Sequence, residues 1–468
     1  MTYQVPLHIN KDKIFIVNRS AIDNRLDAQY YSANLDLSGF VKLSSVATVK
    51  GGKRIPKGYG YSGDATPYYY LRVADMDSDT PVDVNSLMNI SDEVFDILKR
   101  YEINEGELAI SIAGTIGKTA ILKDIPDGKR VILTENCAKI LVKPNVELLS
   151  NYLKICLELP IVKKQLDLNY IQTTIPKLGL DKIVGIKLPP IPSMQKQQEI
   201  VDYINTAYAQ KQAKETEAQQ LLDNIDCYLL KELGISMPKI QRDLDSRIFI
   251  VQKKDLKGRY TPNLYKDTVT LHSTIYQNIP LSHLAYINPS TRFPNRSKEM
   301  QISFVPMESV NETYAEITDH KDCSIKESKG FTRFQEGDLL WAKITPCMEN
   351  GKSAIAKGLT NGYGCGSTEF YVIRPKNDEL LIEYIYSLLH MKFVRQTAKL
   401  YFGGSAGQQR VAVDFLENFN VPLPSIGKQQ EVVNFVINLR NRAKTLREEG
   451  KVILEDAKRK VEQMIIGS

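Results

Sequence analysis

The sequence predicts an α+β protein in which one unit is written twice, each unit a β-rich section followed by a long helix. Three observations carry this. Ile14-Phe15-Ile16-Val17 returns as Ile248-Phe249-Ile250-Val251, and Gly117-Lys118-Thr119-Ala120-Ile121 as Gly351-Lys352-Ser353-Ala354-Ile355, both at an offset of 234. Pro192-Ser193 and Lys196-Gln197-Gln198-Glu199 return as Pro424-Ser425 and Lys428-Gln429-Gln430-Glu431, at an offset of 232. Each copy also changes character after a proline-rich break, from glycine-punctuated β runs to helical periodicity. The offsets are about half of the 468 residues, which makes tandem duplication the plainest account. Two similar units in one chain can form a pseudo-two-fold object, suited to a target that itself has two halves.

The elements follow in order. Residues 1–190 hold β-type runs at 68–73, 108–112, 131–134 and 139–142, with a helix over 148–159. Residues 237–422 repeat the plan, with strands at 302–305, 338–344 and 369–373 and a helix over 380–397. Residues 191–236 and 423–468 read as long helices. A proline that cannot continue a ladder and a serine suited to capping precede each one. On the first helix Ile200, Ile204, Ala207, Leu221 and Ile225 fall at heptad spacings. On the second, Val432, Val436, Leu439, Ala443, Leu446, Ile453 and Ala457 fall in the same phase. Lys211, Lys214 and Gly450 interrupt the stripes, and Val461 is a better apolar candidate than its neighbour Lys460. The helices either pack each on its own section or pair with one another. A helix of about 38 residues would be roughly 57 Å long, more than internal packing of such a section needs, which favours pairing and a spacer role.

Composition narrows the class without naming a function. Hydrophobic content of 43% and charged content of 25% fit a soluble globular protein of two to four compact parts. A net charge of +6 is compatible with nucleic acid but does not require it. The six cysteines form no Cys-x-x-Cys pair and the five histidines are scattered, so reduced thiols and no metal site are expected. No leader pattern and no run of 18 apolar residues occurs, so the expected location is the cytoplasm, away from membrane.

Several motifs resemble catalytic machinery and fail on context. Gly58-x-Gly60-x-x-Gly63 leads into Tyr68-Tyr69-Tyr70, strand material where a dinucleotide fingerprint needs a helix. Gly117-Lys118-Thr119 and Gly351-Lys352-Ser353 lack the earlier glycine of a P-loop, having Ile112 and Pro346 there. No Asp/Asn-Pro-Pro-Tyr/Phe tetrapeptide is present, and Phe402-Gly403-Gly404-Ser405-Ala406-Gly407 follows a helix. The residues point to no enzymatic activity in this chain alone and to no cofactor.

With its two-copy layout, the segment 105–118 (Glu-Gly-Glu-Leu-Ala-Ile-Ser-Ile-Ala-Gly-Thr-Ile-Gly-Lys), the segment 364–370 (Gly-Cys-Gly-Ser-Thr-Glu-Phe) and the repeated Pro-x-Pro-Ser-x-x-Lys-Gln-Gln-Glu, the chain resembles the specificity subunits of type I restriction–modification systems. The resemblance covers nearly the whole chain. It implies two target recognition domains, 1–190 and 237–422, each reading one half of an asymmetric bipartite site on double-stranded DNA. It implies that the helices 191–236 and 423–468 form an antiparallel coiled coil that sets the spacer. The same helices would dock two methylation subunits, with restriction/translocase subunits joining them. S-adenosylmethionine, ATP and Mg are then expected on those partners.

Candidate DNA contacts are basic residues interleaved with aromatics, and amides suited to base edges. In the first domain these are Lys53, Arg54, Lys57, Tyr59 and Tyr61 in a glycine-rich loop, then Arg72, Lys118, Gln172, Thr173, Thr174 and Lys177. Arg72 points to a groove or pairs with Asp75. In the second domain they are Arg292, Arg296 and Lys298, then Lys343, Thr345 and Lys352, then Ser405, Gln408, Gln409 and Arg410. Trp341 reads as core. Rival readings are the DNA-reading subunit of another restriction system (type IIB-like), a nucleotide-binding enzyme using Gly-Lys-Thr/Ser, and a scaffold that binds no DNA.

Overall fold

The computed structural model describes residues 35–169, 176–235, 271–293, 298–404 and 408–467, with positions 16, 17, 19, 22, 33 and 250. The chain separates into two compact units, Met1–Gln212 with Lys451–Ser468, and Ala213–Gly450. The sequence places its boundaries near 190, 236 and 422, whereas the compact units divide both long helices. Each helix half buries its apolar side within a different unit.

In the first unit the central strand Leu108–Ser111 is wholly buried. It lies between Cys137–Val142 and Thr119–Ile121, with Ala47–Gly51 at the far edge, all antiparallel. Side chains alternate across a strand, and this decides the layers. Leu108, Ile110, Ala138 and Ile140 face a core of helical residues including Tyr152, Leu157 and Val162. Ala109, Ala120 and Cys137 face the second sheet through Tyr69, Leu71, Val131 and Leu133. That second sheet runs Met88–Asn89, Tyr68–Leu71, Arg130–Leu133, Glu102–Ile103, its middle pair parallel. Its outer face, Tyr70 and Ile132, is covered by the helix Asp92–Leu98.

The second unit repeats this strand order. One sheet runs Ala285–Ile287, Phe370–Pro375, Leu339–Ala342, Ser353–Ile355. The other runs Lys321–Ser324, Gln301–Val305, Tyr363–Gly366, Thr332–Gln335, again with a parallel middle pair. Duplication therefore holds at the level of topology. In the 364–370 motif, a Cβ on Gly366 would lie 2.2 Å from the Val305 carbonyl oxygen, so only glycine lets these parallel strands approach. Trp341 is buried in the core against Tyr371 and Phe415.

The long helices are Met194–Glu232 and Ile426–Ile466, of 39 and 41 residues. Ser193 and Ser425 open them, their hydroxyls accepting from the backbone N–H of Lys196 and Lys428 at 3.4 Å. In the first unit Ile200, Ile204 and Ala207 share a core with Leu454, Ala457 and Val461. Leu454 is buried more deeply than the expected Ile453. In the second unit Ala218 packs with Ala443 and Leu446, joined by Leu221. There Ile225 joins Val432 and Val436 in the main core, with Leu439 partly buried against it. The pairing runs antiparallel: Lys214 meets Glu449 at 2.6 Å, and further along Glu232 meets Lys428. Lys214, an interruption of the stripe, thus serves the pair from its edge. A second departure from the stripe is Arg440, next to Leu439, which is 6% exposed.

The predicted helix 148–159 is found as one helix with a second following it, whereas the predicted helix 380–397 is broken in two. Ser150–Glu158 stops at an extended Leu159 before Pro160–Asp167, and Ile382–His390 stops at an extended Met391 before Lys392–Ala398. Pro160 accounts for the first stop. In the second copy Asp226 accepts the Lys392 backbone N–H at 2.8 Å, satisfying the start of a new helix in place of an intrahelical bond.

Candidate nucleic-acid interface

Backbone hydrogen bonds gather the first unit's candidates around the turn 134–136, which joins its two sheets. Gly52 N–H donates to the Cys137 carbonyl and Lys53 N–H to the Leu133 carbonyl, both at 2.9 Å. Ile112 N–H donates to Asn136 at 2.8 Å, and Leu178 N–H to Ile112 at 2.8 Å, which brings Lys177 alongside Ala113. Arg54, 78% exposed, donates from Nε to Glu135 Oε1 at 2.5 Å. Burial is the largest influence and would raise the Glu135 carboxyl, but the hydrogen bonds from Arg54 and Thr134 and the Arg54 charge together outweigh it and hold Glu135 below its ordinary range. The Tyr70 hydroxyl donates to the Lys53 carbonyl at 2.8 Å and is pushed up to about 12, chiefly by burial. It is a fixed donor at neutral pH.

Tyr61 lies 6.1 Å from the Tyr70 ring and under the Arg72 guanidinium at 5.8 Å. Arg72 is itself clamped on Asp75 by two bonds of 2.6 and 2.9 Å, so the pairing alternative is the one the structure adopts. What remains available is an exposed loop carrying Lys53, Arg54, Lys57, Tyr59 and Tyr61, backed by a fixed cation. Gln172, Thr173 and Thr174 lie outside the described residues.

In the second unit Arg410 anchors the group. Its guanidinium donates to both oxygens of Glu369, at 2.8–3.1 Å, and to the Gln408 carbonyl at 3.0 Å. Thr345 N–H donates to Gln409, and Val411 N–H to Lys343, so residues 343–345 and 408–411 form one edge. Lys343 lies 5.2 Å from the Tyr371 ring centroid. Ile344 bridges Arg410 much as Ala113 bridges Lys177, so the two basic residues hold equivalent places. Ser405 and Arg296 lie outside the described residues. Arg292 and Lys298 are exposed. Phe293, beside Arg292, packs edge-on against Tyr363 and under Arg333 at 4.8 Å, which ties that loop to the other sheet and not to the Arg410 edge.

Lys118 and Lys352, expected at the DNA, each reach back toward their own unit. Lys118 Nζ donates to the Met76 carbonyl at 3.3 Å, and Lys352 Nζ to the Met307 and Val310 carbonyls at 3.3 and 3.4 Å. The glycine before each has positive φ, +80° at Gly117 and +86° at Gly351, which turns the chain so that the lysine reaches a neighbouring loop of its own unit. The Gly-Lys repeat is a loop tether, followed by strands Thr119–Ile121 and Ser353–Ile355 where a phosphate loop has a helix. Gly58, Gly60 and Gly63 likewise precede strand Tyr68–Leu71.

Sequence reading missed Phe293 and Arg333. Arg333 occupies an ordinary polar strand position, and nothing local marks its cross-strand neighbour. Among the described residues no group of three metal-ligating side chains occurs, and no helix is long and apolar enough to cross a membrane.

Comparison with known proteins fits this geometry. The sequence profile described as "Type I restriction modification DNA specificity domain" matches residues 36–223 and again 276–454, once per copy. The EcoEI type I restriction enzyme specificity subunit of Escherichia coli is 39% identical over 156 residues, which cover 33% of this chain and 26% of that protein. The EcoAI specificity subunit of the same organism is 39% identical over 160 residues, with the same shares. Each match thus spans about a quarter of the curated relative. A crystal structure of a type I S subunit from M. genitalium aligns over 92% of this chain and 96% of its own, at 11% identity and a TM-score of 0.42. The HsdS subunit from Thermoanaerobacter tengcongensis aligns over 92% and 97%, at 14% identity and a TM-score of 0.36. At such scores the assignment rests on the sequence profile. That profile covers well over half of the residues, and by it the chain belongs to the type I restriction–modification DNA specificity family.

Proposed function

We propose that the chain is the non-catalytic DNA reader of a type I restriction–modification assembly in the cytoplasm. Each β-rich unit reads one half of an asymmetric bipartite site, and the antiparallel helix pair sets the gap between the halves. The observation that carries this reading is one topology used twice with different side chains at its exposed edge. A shared Thr-Glu pair (Thr134-Glu135, Thr368-Glu369) holds Arg54 in one copy and Arg410 in the other. Equal frames with unequal edges suit two unlike half-sites, because a rigid sheet carries the loops and base identity is read by the side chains on them. Tyr203 and Phe435 support docking of two methylation subunits. They are equivalent at an offset of 232 and remain 46% and 42% exposed, large apolar groups at the same place on each long helix. Restriction/translocase subunits join that core, and S-adenosylmethionine, ATP and Mg act on the partners.

Selection of bound duplexes from a randomised library tests the reading. Wild-type protein should enrich two fixed half-sites at one spacing. Arg410→Ala should relax preference in one half only, by about 1–3 kcal/mol per lost base contact. A uniform loss across all sequences, with a shallower salt dependence, would instead assign Arg410 to phosphate.

A further inference from the structure

The second unit contains a cavity of about 400 Å³ whose lining includes Arg395, Arg440, Arg447, His390, Asp226 and Asn350. That volume is in the range of small-molecule sites. Arg440 is 6% exposed, and its guanidinium finds no hydrogen-bond acceptor among the described residues. It lies on the face of Tyr386, 4.5 Å from the ring centroid, which fixes the plane of its fork. Arg395 donates only to backbone carbonyls, of His390 at 3.1 Å and Glu349 at 2.5 Å. Arg447 donates to the Tyr314 hydroxyl and to the Gln219 amide oxygen, both at 3.1 Å. Among the described residues no carboxylate is bonded to any of the three. Three carboxylates also line the cavity, Asp223, Asp226 and Glu312, and of these Asp226 already accepts the Lys392 amide.

The first unit supplies an internal control. The counterpart of Tyr386 is Lys154 and that of Arg440 is Tyr208, both at an offset of 232, so cation and ring have exchanged places. The contact persists, with Lys154 Nζ 5.8 Å from the Tyr208 centroid. There the charges at these positions are answered from within. Lys154 pairs with Glu158 at 2.7 Å, and Asp79 pairs with Lys458 at 2.6 Å while accepting from the Tyr208 hydroxyl at 3.4 Å. In the second unit Glu158 is replaced by His390, whose Nε2 bonds the Glu312 carbonyl at 2.7 Å. Burial pushes that imidazole down to about 3, so it is neutral near pH 7 and offers no carboxylate in exchange.

A buried guanidinium without an anion is costly, and planar forks around a polar cavity are the usual chemistry for bidentate capture of oxyanions. The geometry points to a site for a small phosphate-bearing anion between Arg440, Arg395 and Arg447, built in the second unit and replaced by internal ion pairs in the first. Either free phosphate or the phosphate of a mononucleotide satisfies that chemistry. The site is independent of the DNA-reading edge, and its failure would leave that reading untouched.

Titration calorimetry on the full chain in phosphate-free buffer tests it, with inorganic phosphate and AMP as titrants at fixed ionic strength. Saturable one-to-one binding is expected, weakened at least tenfold by Arg440→Gln. The triple variant Tyr386→Lys, His390→Glu and Arg440→Tyr copies the first unit's arrangement with its Lys154–Glu158 pair, which should preserve packing and abolish binding. AMP binding tenfold tighter than phosphate would identify a nucleotide source, and equal affinities free phosphate. Absence of saturable binding to wild-type protein, or undiminished binding by both variants, would overturn the proposal.

Discussion

Glu135 and Glu369 occupy a shared Thr-Glu pair, yet each holds an arginine from a different part of its unit. At this scale the residue type alone does not decide the role. The Gly-Lys pairs show the same limit. Their recurrence is plain in the sequence, but only the direction of the lysine separates a phosphate contact from a tether, and that direction follows from a positive-φ glycine and a carbonyl more than 40 residues earlier in the chain. Lys352→Met should therefore destabilise the second unit by about 1.5–3 kcal/mol, the scale of a charged hydrogen bond. The salt slope of DNA binding should not change. Equilibrium unfolding and a salt titration measure the two effects, and a slope reduced by about one phosphate would return Lys352 to the interface. The basic-aromatic loop at 53–61 was legible because its residues are close in sequence. Arg333 over Phe293 was not, since cross-strand neighbours carry no local mark.

The repeated Lys-Gln-Gln-Glu is a motif whose meaning emerges only at the level of elements. Gln197 is fully buried; its side-chain oxygen accepts from Leu149 N–H at 2.9 Å, and its amide donates to the carbonyls of Glu147 and Pro192, both at 2.9 Å. Gln429 does the same with Leu381, Glu379 and Pro424 at 2.8–3.0 Å. One side chain thus ties the start of a long helix to the start of the short helix packed on it and to the proline-rich turn between. Alanine at either position would strand three polar groups and cost about 2–4 kcal/mol. Hydrogen exchange separates the copies: Gln197→Ala should speed exchange near 147–153 and leave 379–385 unchanged, and Gln429→Ala should do the reverse. Equal effects in both segments would argue for global destabilisation. The long helices themselves were readable from caps and heptads. The break at Met391 was not, because the cap that permits it, Asp226, comes from a distant helix. Arg440 escaped as well, since a heptad reading expects a buried leucine beside it and not a buried cation.

For the whole molecule, the length of the helix pair is the quantity the proposed function uses. In the second unit the two helices meet antiparallel through Ala218, Ala443 and Leu446, with Lys214 on Glu449. Lengthening one helix alone would put such a seam out of register. The informative change inserts one heptad in each, at the junctions of the compact units, between residues 212 and 213 and between 450 and 451. Seven residues keep the apolar phase within about 20° and add roughly 10 Å. If the pair is a ruler, the preferred gap should grow by roughly three base pairs at ~3.4 Å each, with both half-sites unchanged. Selection from a library with variable spacers reads both quantities at once. An unchanged gap with intact half-sites would show that spacing is set elsewhere. Loss of one half-site with the other retained would show that the inserted seam no longer pairs.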